Sequence, residues 1–150
     1  MSVIDNKAKS VKGNEFKNKI RLILSDLHKS KLIDNFESKK RYAGNTNLEP
    51  QFYAPFVVES RQQTTILFTT TSLRTDRIKE NQWDAYGIKT ALGPSVKCIL
   101  VVPNPTTQKQ KNELNNAVDN NNNPKRLSFI DDIIVDSKLK IYYNNLHGDK

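Results

Sequence analysis

The first apolar pattern of the chain has the spacing of a helix. Apolar residues recur every three or four positions, at Phe16, Ile20, Ile23, Leu24 and Leu27. Lysine and arginine fill the other faces, and Asn14 is a residue type that caps helix starts. We therefore predict a helix that begins at Asn14 and follows a loose basic lead-in over residues 1–12. Glu15 lies in its first turn, where it either complements the helix dipole or directs a carboxylate at a site.

A second apolar pattern changes from a continuous run to helical spacing partway along. Residues 64–71 form a β-branched apolar run, and the residues after it take up helical spacing with no glycine or proline between the two. This pattern predicts a strand that leads directly into a helix. The predicted inner face of that helix carries Ile78, Gln82, Ala85, Ile88 and Leu92. Arg74, Arg77 and Lys79 crowd its start, where the helix dipole favours anions, so we expect an anionic partner nearby.

Two more apolar runs predict strands of different kinds. Residues 52–58 follow Pro50 and contain Pro55, which favours an edge or irregular strand. The polar residues 59–63 fit a hairpin turn into the next strand. Residues 96–102 form a nearly continuous apolar run, which is typical of a strand covered on both faces.

The segments outside these runs are less regular. Residues 37–41 fit either a short strand or a solvated basic loop. Thr106 or Thr107 is placed to cap a weaker helix that runs to Val118. The asparagine-rich residues 119–124 predict a mobile loop.

The end of the chain completes the predicted fold. Residues 127–135 and 139–143 are apolar, so one or both should be strands, and the tail 144–150 is expected to fray. The strands on either side of the 59–63 turn are antiparallel. The strands joined through a helix are parallel by the usual right-handed crossover. We expect one α/β domain over residues 1–150, with a mixed sheet flanked by helices.

The charge balance suggests an anionic partner. The chain of 150 residues has 24 lysine and arginine residues against 16 aspartate and glutamate residues, a formal net charge of +8. Such a charge favours phosphate backbones or anionic membranes, although a basic surface that serves only solubility fits equally well. Nowhere do eighteen apolar residues run together. We therefore expect a soluble cytoplasmic protein with no membrane partner.

Several single residues of chemical interest favour structural roles. Cys98 is the one cysteine of the chain and lies in an apolar run, so it predicts an inert core thiol and excludes an intrachain disulfide. His28 and His147 have no neighbours at metal-ligand spacing, which predicts surface histidines. Trp83 fits a core anchor better than a contact with a partner subunit.

Two segments, together with the order of the elements, resemble a known family. The segments are Leu48-Glu49-Pro50-Gln51-Phe52 and Phe68-Thr69-Thr70-Thr71-Ser72-Leu73-Arg74-Thr75-Asp76-Arg77, the second continuing to Gln82-Trp83-Asp84-Ala85. Over residues 14–103 the chain resembles the PD-(D/E)XK nuclease superfamily and, within it, the type II restriction endonucleases. The resemblance implies a restriction-endonuclease-like fold, Mg²⁺-dependent cleavage of DNA, and a homodimer or a subunit of a larger endonuclease.

The catalytic motif of that family is altered in this chain. In the family an aspartate opens one strand, and an acid and a lysine end the next, so that carboxylates hold a magnesium ion that activates water. The corresponding positions here are Gln51, Phe68 and Thr70. A rearranged site would use Glu49 and Gln51 as metal ligands, with Thr70 and Glu15 completing it. A second acid and base pair, in the segment Glu59-Ser60-Arg61, lies in the predicted turn.

Basic residues on two segments complete the set of candidates. The resemblance and the charge pattern together predict DNA-phosphate contacts from Arg74, Arg77, Lys79, Lys39, Lys40 and Arg41. The sequence therefore leaves three hypotheses. The chain is a metal-dependent restriction-type endonuclease with a rearranged site, a catalytically inactive DNA-binding remnant or subunit of one, or an unrelated basic structural or RNA-binding protein.

Overall fold

The fold is described by a computed structural model that covers residues 3–42, 51–61, 63–71, 75–117 and 129–148. The helices are α1 (Val3–Lys29), α2 (Thr75–Leu92), α3 (Gln108–Ala117) and α4 (Leu139–Gly148). The strands are β1 (Asn35–Tyr42), β2 (Phe52–Ser60), β3 (Gln63–Thr69), β4 (Lys97–Val102) and β5 (Asp132–Val135), with a short 3-10 helix at Asp136–Lys138.

The strands form one mixed sheet in the order β1-β2-β3-β4-β5. β1 pairs with β2 and β2 with β3 in antiparallel fashion, while β3 and β4 and then β4 and β5 are parallel. The predicted mixed α/β sheet is confirmed, as are the antiparallel hairpin and the parallel pair joined through α2. β4 is buried along almost its whole length, as its continuous apolar run predicts.

Helices cover both faces of the sheet. Under α1 and α4 lies a core built from the inward residues of α1, such as Ile20 and Leu24, and from Leu139 and Tyr143 of α4. The opposite core lies under α2, and partly buried Leu114 of α3 packs against it. The molecule is therefore a three-layer α/β arrangement with a separate core on each side of the sheet.

The side chains of β1 and β2 change faces partway along the sheet. Phe52 belongs to the core under α2, whereas Val58, an even number of positions later, belongs to the core under α1. The change occurs at Pro55, which lies opposite Lys39, a residue with a φ of 57°. A left-handed residue facing a proline breaks the pleat of both strands at one level, so each strand contributes to both cores.

Two predicted boundaries at the ends of the chain are wrong. α1 begins at Val3 rather than at Asn14, so the helix extends back through the predicted basic lead-in. Of the two late apolar segments, residues 127–135 contain β5, so one of the two is a strand as predicted. Residues 139–143 belong to α4, because Leu139 and Tyr143 fall on one helical face and fill the core under α1. The predicted frayed tail from Asn144 is also helical as far as Gly148.

Four predictions for the middle of the chain are corrected or decided. β2 is an interior strand rather than an edge strand, and it accommodates Pro55 where the pleat is already broken. The turn between β2 and β3 is shorter than 59–63, since Glu59 and Ser60 are in β2 and Gln63 is in β3. Residues 37–41 are strand, and Trp83 is exposed rather than a core anchor.

Side-chain chemistry explains two local features. The hydroxyl of Thr107 accepts the backbone N–H of Gln110, and the Gln110 amide oxygen accepts the backbone N–H groups of Thr106 and Thr107. This reciprocal cap confirms the predicted start of α3. In α2, Gly87 lies against Phe52, and a Cβ atom at Gly87 would clash with that ring.

Some predictions lie outside the described residues. These are the loop at 119–124, the helix end at Val118, and the site residues Glu49 and Arg74. No helix within the described ranges is both long and apolar enough to cross a bilayer.

Candidate functional site

One edge of the sheet gathers most of the candidate residues. β3, β4 and β5 are parallel and end there, and the antiparallel pairing brings the end of β1 and the start of β2 to the same edge. We call this the carboxyl edge, defined by Tyr42, Phe52, Thr69, Val102 and Val135. In open α/β sheets, ligands bind beyond the carboxyl ends of parallel strands, so this edge is where a site is expected.

Tyr53 of β2 is the centre of a basic cluster at the carboxyl edge. The Nζ of Lys17 lies 5.7 Å from the centroid of the Tyr53 ring, and the guanidinium of Arg41 lies 5.0 Å from it. α1 supplies Lys17 and β1 supplies Arg41, whose side chain is exposed. Both cations are held by cation–π attraction without losing their charge, so they remain able to bind an anion from solvent.

Asp84 of α2 fixes the backbone beneath this cluster. The backbone N–H of Tyr53 donates to Oδ1 of Asp84 at 3.1 Å. Partial burial raises the pKa of the Asp84 carboxyl, and the Tyr53 hydrogen bond and the charge of Arg41 oppose this shift. Asp84 is therefore a partly desolvated carboxylate at the start of β2, held by one hydrogen bond and facing a guanidinium.

A second cation of α1 reaches the opposite side of the carboxyl edge. The Nζ of Lys19 lies 2.6 Å from Oδ2 of Asp136, whose side chain is 1% exposed. Oδ1 of Asp136 is buried and has no hydrogen-bond partner. Beside it, the hydroxyl of Ser137 donates to Oδ1 of Asn104 at 2.8 Å. Lys17 and Lys19 thus place the middle of α1 across the carboxyl edge, from β2 to the segment after β5.

The positions that correspond to the nuclease motif do not assemble a metal site. Gln51 precedes β2 and is exposed, while Phe68 is 1% exposed in the core under α2. Thr70 is half-buried, and its backbone N–H donates to Val101 at 3.2 Å. Phenylalanine offers no ligand atom, and Phe68 occupies the level at which a carboxylate would be needed.

Glu15 is exposed on α1, one turn before Lys19. Across the part of the chain that the structure describes, no group of three or more histidine, cysteine, aspartate or glutamate side chains is placed to hold a metal ion. A magnesium site that uses Glu15, Gln51 and Glu49 therefore stays a prediction.

The predicted DNA-binding residues fall into two groups. Lys39, Lys40 and Arg41 are exposed on β1, an edge strand of the sheet. Lys40 lies 2.9 Å from a carboxylate oxygen of Glu37, and this hydrogen bond raises the pKa of the Lys40 amine. Lysines and a broken pleat also protect an edge strand from pairing with another chain, so Lys39 has a structural explanation as well.

The second group belongs to α2. Lys79 is exposed in the first turns of the helix, and Arg77 is part of the same helix. α2 lies on one face of the sheet, whereas the first group lies on the edge strand β1. The predicted basic residues within the described ranges are therefore divided between two elements.

The second acid and base pair, Glu59 and Arg61, makes contacts that stabilise the fold. Both carboxylate oxygens of Glu59 accept the Thr64 hydroxyl, at 2.8 and 3.0 Å. Ser60 donates to the backbone oxygen of Leu32, and Arg61 donates to that of Leu146. These residues lie at the end of the sheet opposite the carboxyl edge. Glu59 also lines a groove of about 350 Å³ together with Lys40, Tyr42, Gln63, Thr64, Leu92, Ser95 and Val96.

Of the Tyr53 cluster, Arg41 was predicted from the sequence, whereas Lys17, Tyr53 and Asp84 were not. Lys17 and Tyr53 lie in regular elements and carry no motif. Asp84 lies within the Gln82-Trp83-Asp84-Ala85 segment that contributed to the family resemblance, which was the one available signal for it. Asp136 directly follows β5, a position at which polar residues of α/β proteins gather, but that strand was not delimited from the sequence.

Comparison with known proteins gives a fold likeness. No protein-family model matches the chain, and no curated protein matches it. Among solved structures, the chain is similar to the crystal structure of protein VC1899 from Vibrio cholerae, with a TM-score of 0.51 and 12% sequence identity. The likeness covers 86% of this chain and 31% of VC1899. The chain thus spans less than a third of that protein, and the likeness shows the fold alone.

Proposed function

We propose that this chain is a DNA-binding protein of the restriction-endonuclease-like kind, which holds the phosphate backbone at the carboxyl edge of its sheet. The observation that carries the proposal is the Tyr53 cluster, in which Lys17 and Arg41 both lie within 6 Å of one ring. Cations supported by an aromatic ring at the open end of a sheet provide backbone contacts without reading the bases.

The order of the elements supports the restriction-endonuclease-like part of the proposal. A helix, three strands paired antiparallel, a second helix and a parallel strand follow one another from α1 to β4, as the resembling family implies. The formal charge of +8 supports a polyanionic partner. Because Phe68 stands at the position where the resembling family has its second acid, we favour binding without cleavage.

A second candidate function is cleavage by a rearranged site. It is favoured by Asp84, which supplies a half-buried carboxylate at the start of β2, where the resembling family has its first aspartate. Gln51, Glu49 and Glu15 would complete the ligands of a Mg²⁺ ion, which would activate water against the phosphodiester.

The test of binding is a salt series with labelled duplex DNA, read by fluorescence anisotropy. We expect affinity to fall steeply with salt, and Lys17→Ala and Arg41→Ala each to weaken binding and to lower the slope of log K against log salt by about 1. Lys109→Ala removes the same charge from exposed α3 and is the matched control. Binding that is insensitive to salt, or equal losses in all three variants, contradicts the proposal.

The test that separates the two functions uses supercoiled plasmid with Mg²⁺ or Mn²⁺. Binding without cleavage predicts that the plasmid stays supercoiled at protein concentrations that saturate binding. Cutting that is lost in both Asp84→Asn and Glu49→Ala would establish the rearranged site instead.

A further inference from the structure

Four aromatic rings form a continuous row along one side of α2. The ring centroids of Phe52 and Trp83 are 5.6 Å apart, those of Trp83 and Tyr86 are 6.1 Å apart, and those of Tyr86 and Phe129 are 5.1 Å apart. The two rings at the ends of the row are held in place, since Phe52 is buried against Gly87 and Phe129 is partly buried. The two middle rings belong to the helix itself.

The two middle rings face solvent. Trp83 is 54% exposed and Tyr86 is 44% exposed, while Ala85 and Ile88 form the buried face of the same helix. Packing of the sheet therefore does not account for Trp83 and Tyr86. Large aromatic side chains left exposed beside one another mark surfaces that bind a partner, and their flat faces suit a planar one.

The charges around the row favour a nucleic acid as that partner. Lys79 is exposed one turn before Trp83 and lies on the same side of α2, since residues four apart are neighbours on a helix. Arg41 acts electrostatically on Asp84, the residue that follows Trp83 on α2. Glu80 and Asp84 also lie near Trp83, so phosphates would be held at Lys79 and Arg41 rather than over the indole.

We propose that Trp83 and Tyr86 stack against unpaired bases of a single-stranded nucleic acid, or of a locally opened duplex, while Lys79 and Arg41 hold its phosphates. Every base has a flat face, so such a surface accepts bases regardless of sequence. In an intact duplex the base faces are covered by their neighbours, so duplex DNA would not use this row. This inference rests on the proposed nucleic-acid binding, and it specifies that this surface binds unpaired rather than paired bases.

Trp83 is the one tryptophan of the chain and reports directly on stacking. Adding a short oligothymidylate to the wild-type protein should quench its tryptophan fluorescence, whereas the same amount of blunt duplex should leave it nearly unchanged. In anisotropy titrations with the labelled oligothymidylate, Trp83→Ala and Tyr86→Ala should each weaken binding by about 5- to 150-fold. Trp83→Phe should retain most of the affinity because it keeps a stacking ring.

The matched control is Ile141→Ala, which removes another exposed apolar side chain, 56% exposed on α4. It should bind the oligothymidylate like the wild type. Circular dichroism of each variant confirms that the fold is kept.

The outcomes separate this inference from the proposed function. Salt-dependent binding of duplex DNA, with no effect of Trp83→Ala on binding of either strand form, overturns the stacking role and leaves the proposed function standing. Absence of binding to both strand forms overturns both. If sedimentation shows wild-type dimers that Trp83→Ala dissociates while nucleic-acid binding is unchanged, the row is an interface between copies and the inference is wrong.

Discussion

At the scale of single residues, the carboxyl edge holds one ion pair whose partners differ sharply in burial. Asp136 is buried, and its Oδ1 has no hydrogen-bond partner. Lys19 is therefore the cation that offsets the burial of this carboxylate. We expect Lys19→Met to lower the free energy of unfolding by about 1–3 kcal/mol, because the buried carboxylate loses its partner. The exposed pair of Lys140 and Asp26, 3.4 Å apart, provides the comparison.

Removing that exposed pair with Lys140→Met should cost at most about 1 kcal/mol. Urea denaturation of both variants measures the difference. Equal costs for the two lysines would mean that the Lys19 pair is no stronger than a surface contact.

The carboxyl of Asp84 makes the free energy of unfolding depend on pH. Burial raises its pKa above the ordinary value of 3.8, so between the unfolded and folded pKa values the native state binds more protons than the unfolded state. This contribution to stability is therefore lost as pH rises through that window. Asp84→Asn keeps an oxygen for the Tyr53 N–H and cannot ionise.

We accordingly expect the unfolding free energy of Asp84→Asn, relative to wild type, to increase between about pH 3 and about pH 7. Urea midpoints across this range measure it. Asp26→Asn, which makes the same replacement at an exposed position of α1, is the control for the substitution itself. A difference that decreases with pH would mean that the charged form is favoured in the folded state.

At the scale of elements, two helical glycines respond in opposite ways to the same substitution. Gly87 of α2 meets the Phe52 ring, whereas Gly13 of α1 has no atom within 4 Å of an added Cβ. Gly87→Ala should destabilise the protein by about 1–3 kcal/mol through overpacking, since Phe52 is fixed in the core. Gly13→Ala should stabilise it by about 0.5–1 kcal/mol because alanine is the better helix former.

Thermal unfolding of the two variants tests this pair. A Gly87→Ala protein as stable as Gly13→Ala would show that Phe52 moves aside freely. The aromatic row would then not be fixed at that end.

At the scale of the whole molecule, both cores must be closed for the domain to fold. α4 seals the core under α1 with Tyr143, which is fully buried, while Ile141 of the same helix is exposed. We expect Tyr143→Ala to cost about 3–5 kcal/mol, a large share of a typical domain stability of about 5–15 kcal/mol. Ile141→Ala should change stability by less than about 1 kcal/mol.

Denaturant midpoints of the two α4 variants separate these effects. If both substitutions cost the same, α4 would be an appendage rather than the cover of this core. The predicted fraying from Asn144 would then be nearer the truth.

The sequence predicted the interior of the sheet better than its periphery. The continuous apolar run of β4 and the change of period after β3 identified the parallel pair, because burial on both faces leaves a local pattern. The start of α1 escaped prediction because apolar residues are sparse before Phe16. The presence of α4 escaped it because Leu139 and Tyr143 acquire a common face only against the rest of the core. Tyr53 and Asp84 were missed for a related reason, since they meet across the sheet edge and no local spacing records the contact.

β2 behaves as two short strands in opposite phase, joined at Pro55. In an ordinary strand, a slip of one residue in the pairing register would invert every inward side chain along its length. Here a slip confined to the half before Pro55 would turn Phe52 out of the core under α2, while residues 56–60 would keep their packing. The two halves of β2 therefore hold their register separately, and the half that carries Phe52 and Tyr53 is fixed by the core under α2 and by the hydrogen bond to Asp84.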